Sequence, residues 1–235
     1  HKNVNITSTE LSSTTESTAV TILNGPDPDL IVKDISFDIN EPVAGDIVTI
    51  TATIKNQKSD SFTAKRFVVS FYDGENLIGN YLITQSIPAN GEIKASIKWK
   101  ATPGMRTIKV VADSGNSVPE SDETNNIAEK EIGVSIIAVI DIDPNTFSLG
   151  KSKELTAYIE LPSGYDVNNI NISTIRLNDA VPAKLKPTKI GDYDNDKILD
   201  LMVKFDGAAV SAVLSPGEAV EITIRGALND RTPFK

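Results

Sequence analysis

Cysteine is absent from the 235 residues, and the sole histidine is His1. The first absence excludes a disulfide framework, a thiol nucleophile and a cysteine-ligated zinc, while leaving the redox compartment open. Together the two exclude Ser-His-Asp and Cys-His catalysis. Lysine and arginine number 23 against 32 aspartates and glutamates, a net charge of −9, and the cations are not clustered. Recognition of nucleic-acid phosphates needs clustered Lys and Arg, so nucleic acid is not an expected partner; cation binding fits better. Gly-rich phosphate loops are missing too. No apolar run approaches the roughly 20 residues of a spanning helix, so no membrane span is expected. Aromatic residues are scarce at 6 %, with Trp99 the one tryptophan, which weakens a carbohydrate-binding role. The chain starts at His1 without a basic stretch followed by an apolar run. That is expected either after removal of a secretory signal or for a piece cut from a larger protein. Acids are plentiful, but no pair stands out as a hydrolytic couple. The expectation is a protein that is not an enzyme.

What the chain does concentrate is acid. Gly191-Asp-Tyr-Asp-Asn-Asp-Lys-Ile-Leu-Asp200 places carboxylates at Asp192, Asp194, Asp196 and Asp200, at loop positions one, three, five and nine. Ca²⁺ takes about six to eight hard oxygens, and a tight loop supplies them from alternate side chains plus one backbone carbonyl, here that of Ile198. Lys197 stands where such loops prefer glycine, and Val203 occupies position twelve, where an EF-hand needs a bidentate glutamate. The stretch Ile198 to Phe205 alternates as a strand, and no amphipathic helix precedes the loop. A calcium site in a β-loop is therefore expected, resembling the D-x-D-x-D-G-x-x-D-L loops of FG-GAP-type repeats.

Residues 1–25 are rich in Ser and Thr and read as a polar tail with two short apolar alternations. Val4 with Ile6, and Val20 with Ile22, are candidate donor strands. Two N-glycosylation sequons occur, Asn5-Ile-Thr7 and Asn171-Ile-Ser173, and Asn5 is the better candidate acceptor. Gly25-Pro-Asp-Pro28 then breaks the chain and opens a first domain, residues 26–133.

From Asp29 to Gly133, seven strands are expected at about 30–38, 47–55, 66–73, 77–84, 92–99, 105–113 and 127–133. They are separated by turn signals such as Asp73-Gly74 and Asn90-Gly91. Such spacing suggests an immunoglobulin-like sandwich. Ile97 and Trp99 alternate with Lys98, which turns Trp99 toward the core. The acids Glu120, Asp122 and Glu123 with Asn125 and Asn126 form a candidate second cation site, although Asn and Asp suit a tight turn there equally well and that reading is preferred. Residues 27–133 also resemble the CARDB family, cell-adhesion-related domains found in bacteria. The marks are Pro28-Asp-Leu30, Pro42-x-x-Gly45, Val48 to Asn56, Phe71-Tyr-Asp-Gly74, Ile108 to Ala112 and, most specifically, Asn116-Ser-Val-Pro-Glu-Ser-Asp-Glu-Thr-Asn-Asn126.

A second domain is expected over residues 134–235, with strands at Ile136 to Ile142, Leu155 to Leu161, Ile170 to Leu177, Ile198 to Phe205 and Ala219 to Leu228, and a short helix at Gly207 to Leu214. Its runs Asp141 to Leu149, Thr156 to Asp166 and Asp192 to Asp206 resemble a β-rich module of secreted microbial and archaeal proteins. That resemblance implies architecture and the calcium loop. Modules of this kind continue past Thr-Pro-Phe into a closing strand, whereas here Thr232-Pro-Phe-Lys235 is the last segment.

The expected fold is thus all-β, two tandem sandwich-like domains, the first immunoglobulin-like and the second β-rich with one short helix. The expected role is that of an extracellular structural or adhesive protein bound to Ca²⁺. It is expected to form a head-to-tail homo-oligomer, a surface filament in which an N-terminal strand of one copy completes the second domain of the next. The alternatives are an accessory carbohydrate- or surface-binding module of a secreted hydrolase, and a surface-layer subunit.

Overall fold

The computed structural model describes residues 27–60 and 66–235. The candidate strands around Val4, Ile6, Val20 and Ile22 and the sequon at Asn5 lie outside the described residues.

The seven strands of the first half are β1 (Leu30–Phe37), β2 (Ile47–Asn56), β3 (Phe67–Asp73), β4 (Asn76–Ile83), β5 (Glu92–Lys100), β6 (Gly104–Val111) and β7 (Ile127–Val134). They form two sheets, ordered β1-β2-β5 and β4-β3-β6-β7. The period of two decides what faces inward. Val48, Ile50, Ala52 and Ile54 of β2 are all fully buried, as are Val69 and Phe71 of β3. Each buried Val, Ile or Phe among them contributes roughly 1.5–3 kcal/mol, enough together to fix the register of the whole strand. Trp99 is 5 % exposed, so it packs in the core and is no sugar platform.

The second half contains β8 (Val139–Asp143), β9 (Glu154–Glu160), a 3-10 turn at Val167–Asn169, β10 (Ile170–Leu177), β11 (Val181–Pro182), β12 (Lys189–Gly191), β13 (Asp200–Asp206), α1 (Gly207–Val213), β14 (Ile224–Leu228) and β15 (Pro233–Phe234). Its sheets run β12-β13-β9-β8 and β11-β10-β14-β15. The core includes Ala157 and Ile159 of β9, Val203 and Phe205 of β13, Ile175 and Leu177 of β10, and Phe234. α1 starts where Asp206 caps it, its Oδ1 accepting the N–H groups of Ala208 and Ala209 at 3.1 and 3.0 Å.

Three differences from the expected strands are local. β13 begins at Asp200 because Ile198 and Leu199 stay in the loop, 46 % and 48 % exposed. β14 begins only at Ile224; Ala219, where the expected strand starts, takes a φ of +74°, which no extended strand admits. β11, β12 and β15 are two or three residues long, too short to show a period.

By mutual contact the chain divides into two compact units. The first takes the described residues up to 38, 49–98 and 108–130, and the second takes 39–48, 99–107 and 131–235. The division cuts across β2, β5, β6 and β7 instead of falling at one point of the sequence. Among the described residues, no helix is long and apolar enough to cross a membrane.

Candidate metal centre

The loop Asp192 to Leu199 joins β12 to β13 and folds over the outer face of their sheet. Tyr193 anchors it there, its ring 4.6 Å from that of Tyr158 and tilted by 44°. Tyr158 lies directly across the ladder from Met202 on one side and Asp141 on the other. Alternation along β9 and β13 sends Ala157, Ile159, Leu201 and Val203 to the core. Tyr158, Glu160 and Asp200 are left on the face the loop covers.

Inside the loop, carboxylates and backbone N–H groups organise one another. Asp192 accepts from the N–H of Asp196 and of Lys197, each at 3.1 Å. Asp194 accepts from Asp196 N–H at 3.1 Å, and Asp196 from Ile198 N–H at 2.7 Å. Asp200 accepts from Tyr193 N–H at 2.9 Å. Asn195 and Lys197 take positive φ, 65° and 80°, so the loop position that favours glycine does adopt the left-handed conformation.

These bonds bring the predicted ligands together. Carboxylate oxygens of Asp192, Asp194 and Asp200 lie within 4.8 Å of one another, and so do those of Glu160, Asp194 and Asp196. Asp194 belongs to both groups. Ile198 sits in the same loop, with its N–H turned to Asp196.

Glu160 is the member of this acid cluster that sequence reasoning missed. It pairs directly with Asp200 across β9 and β13, and the two are 9 % and 6 % exposed. Like charges directly opposite one another destabilise a ladder, and burial deepens the cost. Burial, then the charges of Asp196, Asp194 and Asp200, push the Glu160 carboxyl above its ordinary range. The Asp196 N–H pulls Asp194 down, but burial with the charges of Asp196, Asp200 and Asp192 outweighs it, and Asp194 also stands raised. A cluster that holds its carboxylates protonated more readily than water does is one that a divalent cation relieves. The donor set is all oxygen, which suits a hard cation. Beside it opens a cleft of about 370 Å³ lined by Asp141, Ile142, Asp143, Asn145, Tyr158, Tyr193, Asp194 and Asp200. The signal for Glu160 was its place as the acid closing an apolar alternation, and it becomes legible only once β9 is paired with β13.

The second group of predicted ligands works as turn and strap. Glu120 accepts from Leu30 N–H and, at 2.7 Å, from Asn126 Nδ2, fastening the turn to the start of β1. Burial, against those two bonds and with the charges of Glu123 and Asp113, pushes its pKa up to about 7. Asp122 accepts from the N–H and hydroxyl of Thr124, which hold its pKa down. Glu123 accepts from Glu120 N–H at 2.9 Å, and Asn125 Nδ2 donates to Asp29 at 2.8 Å. The Oδ1 atoms of Asn125 and Asn126 are buried without a hydrogen-bond donor. At Asn171, the side-chain oxygen accepts from the hydroxyl of Ser173 at 2.6 Å, so the sequon closes on itself in β10.

The family whose model matches the chain is CARDB, over residues 27–130. This stretch is a CARDB domain. Solved structures similar to it include the CARDB domain of a Pyrococcus furiosus protein in complex with di-metal ions, 25 % identical, covering 46 % of this chain and 94 % of that one with a TM-score of 0.40. Another is a domain of a cell surface protein from Methanosarcina acetivorans, 26 % identical, covering 46 % and 92 % with a TM-score of 0.40. No curated protein matches the chain. A CARDB domain points to a cell-surface or adhesion-related protein.

Proposed function

We propose that this protein is an extracellular structural or adhesive subunit. In this reading copies join head to tail into a surface filament, with the N-terminal segment of one copy supplying a strand to the C-terminal module of the next. Ca²⁺ binds Asp192, Asp194, Asp196, Asp200 and the Ile198 carbonyl, with Glu160 completing the set, and stiffens that module. Its role is structural and no catalysis is assigned to it. The observation that carries the reading is the pairing of two buried acids, Asp200 and Glu160, beneath a loop that adds three more carboxylates, in one chain with a CARDB domain. Five carboxylates at one spot make sense as a cation's ligands and cost stability otherwise.

The test is to titrate the protein with Ca²⁺ by calorimetry and to follow mass by light scattering with Ca²⁺ and with chelator. The expected outcome is saturable binding and a rise in mass that chelation reduces. Absence of binding, or assembly indifferent to chelator, overturns the calcium part. A particle that stays at the mass of one chain in both conditions overturns the filament.

A further inference from the structure

The span of the acid cluster decides how many ions it can serve. Two oxygens on one Ca²⁺ stand at most twice the bond length apart, roughly 4.6–5.2 Å for bonds of about 2.3–2.6 Å. Asp192, Asp194 and Asp200 meet that limit, with their oxygens within 4.8 Å of one another, and so do Glu160, Asp194 and Asp196. Among the described residues the acids do not gather into one larger group at that span, and only Asp194 stands in both threes.

The two groups differ in build. In the first, backbone donors set the carboxylates: Asp192 accepts from the N–H groups of Asp196 and Lys197, and Asp200 from that of Tyr193. The cleft beside the loop reaches Asp194 and Asp200, whereas neither Glu160 nor Asp196 lines it. In the second group, Glu160 rises from β9 beneath the loop and is 9 % exposed. No N–H or hydroxyl of the described residues donates to its carboxylate, which faces that of Asp196. A side chain so buried, aimed at acids and given no donor, points to a cation of its own. Asp194 has an oxygen to spare for it. Its Oδ1 accepts from Asp196 N–H, and no described donor reaches Oδ2. Charge gives the same count, because one divalent ion among these five carboxylates leaves three negative charges unbalanced and two ions leave one.

We propose that the centre is binuclear. One Ca²⁺ is held by Asp192, Asp194 and Asp200 at the cleft, a second by Glu160, Asp194 and Asp196, and Asp194 bridges them. The proposal rests on the calcium reading above and adds the number of ions and the division of ligands between them. The second ion ties the loop to β9, since Glu160 is the one ligand from outside residues 192–200.

Ions are counted on the full chain by calorimetric titration with CaCl₂ and by native mass spectrometry. The expected count is two per chain. Glu160→Gln and Asp192→Asn are each expected to lose one ion and keep the other, and Asp194→Asn to weaken both at least tenfold. One ion per chain in the unaltered protein overturns the binuclear centre and leaves the calcium reading standing. So does a variant pair in which Glu160→Gln and Asp192→Asn weaken the same single ion. No bound ion removes both. A measurement that needs no variant stands beside these: Tb³⁺, excited through Tyr193, is loaded together with Eu³⁺. Energy transfer between two ions in one centre is expected to shorten the terbium lifetime, and a lifetime indifferent to europium overturns the proposal.

Discussion

Glu160 is a liability on its own and a ligand in the site proposed above. Apart from a cation, its carboxylate opposes Asp200 in a buried ladder position, so Glu160→Gln should raise the melting temperature in chelator by removing a like charge. In Ca²⁺ the same change should lower the melting temperature by removing a ligand oxygen. Opposite signs in calorimetric scans of one variant check this, and equal signs contradict the site. Lys197 makes a second residue-scale prediction. Its φ of +80° costs an L-residue roughly 1–2 kcal/mol. Its N–H, which donates to Asp192, survives substitution. Lys197→Gly should therefore stabilise the module by about 1 kcal/mol in chemical denaturation. Glu120 gives a pH dependence. Its pKa is raised to about 7 from 4.5, so the folded state binds the proton more tightly than the unfolded chain. The associated stability is fully present below pH about 4.5 and is lost as pH rises through about 7. The CARDB transition should move to lower temperature between pH 5 and 8, and Glu120→Gln should flatten that slope.

Elements divide sharply by how readable they were. β2 was legible because Val48, Ile50, Ala52 and Ile54 alternate with polar partners, and one-sided burial enforces that period. α1 was legible from its small-residue run, and its cap Asp206 lies immediately before it. The acid cluster of the Asp192–Asp200 loop was legible because its carboxylates sit close in sequence. Glu160 was not, because it joins them only through the β9–β13 pairing, which no local pattern announces. The segment before β14 misled: Val220 and Ile222 alternate like a strand, yet the ladder starts only at Ile224. β15 is held by a feature equally invisible locally. A Cβ added at Gly226 would stand 2.6 Å from the Phe234 ring, so this glycine is what lets Phe234 close the core. Gly226→Ala should cost about 1–3 kcal/mol through overpacking. It should also speed amide exchange at Ile136, Ala138 and Lys235, whose bonds depend on β15. Unchanged protection at those three amides would show that Phe234 moves without its strand.

At the scale of the whole molecule, a net charge of −9 is spread over the chain, and among the described residues the Asp192–Asp200 loop with Glu160 draws five carboxylates to one place. Chelation should therefore act selectively. It is expected to lower the C-terminal module's melting transition and to leave the CARDB transition in place. The loss is about 2.7 kcal/mol where free Ca²⁺ had stood a hundredfold above the dissociation constant. Calorimetry resolving two transitions decides this, since a common shift of both would place the ion's influence elsewhere.

The parallel pairing of residues 136–138 with 233–235 also sets how the C-terminal module bears tension. A pull applied between the start of this module and Lys235 draws the two short strands in opposite senses along their shared axis. The three backbone bonds between them are then stressed in shear together and do not open one after another from an end. Such a joint resists stretching as an overlapped seam does, by sharing the load along its length.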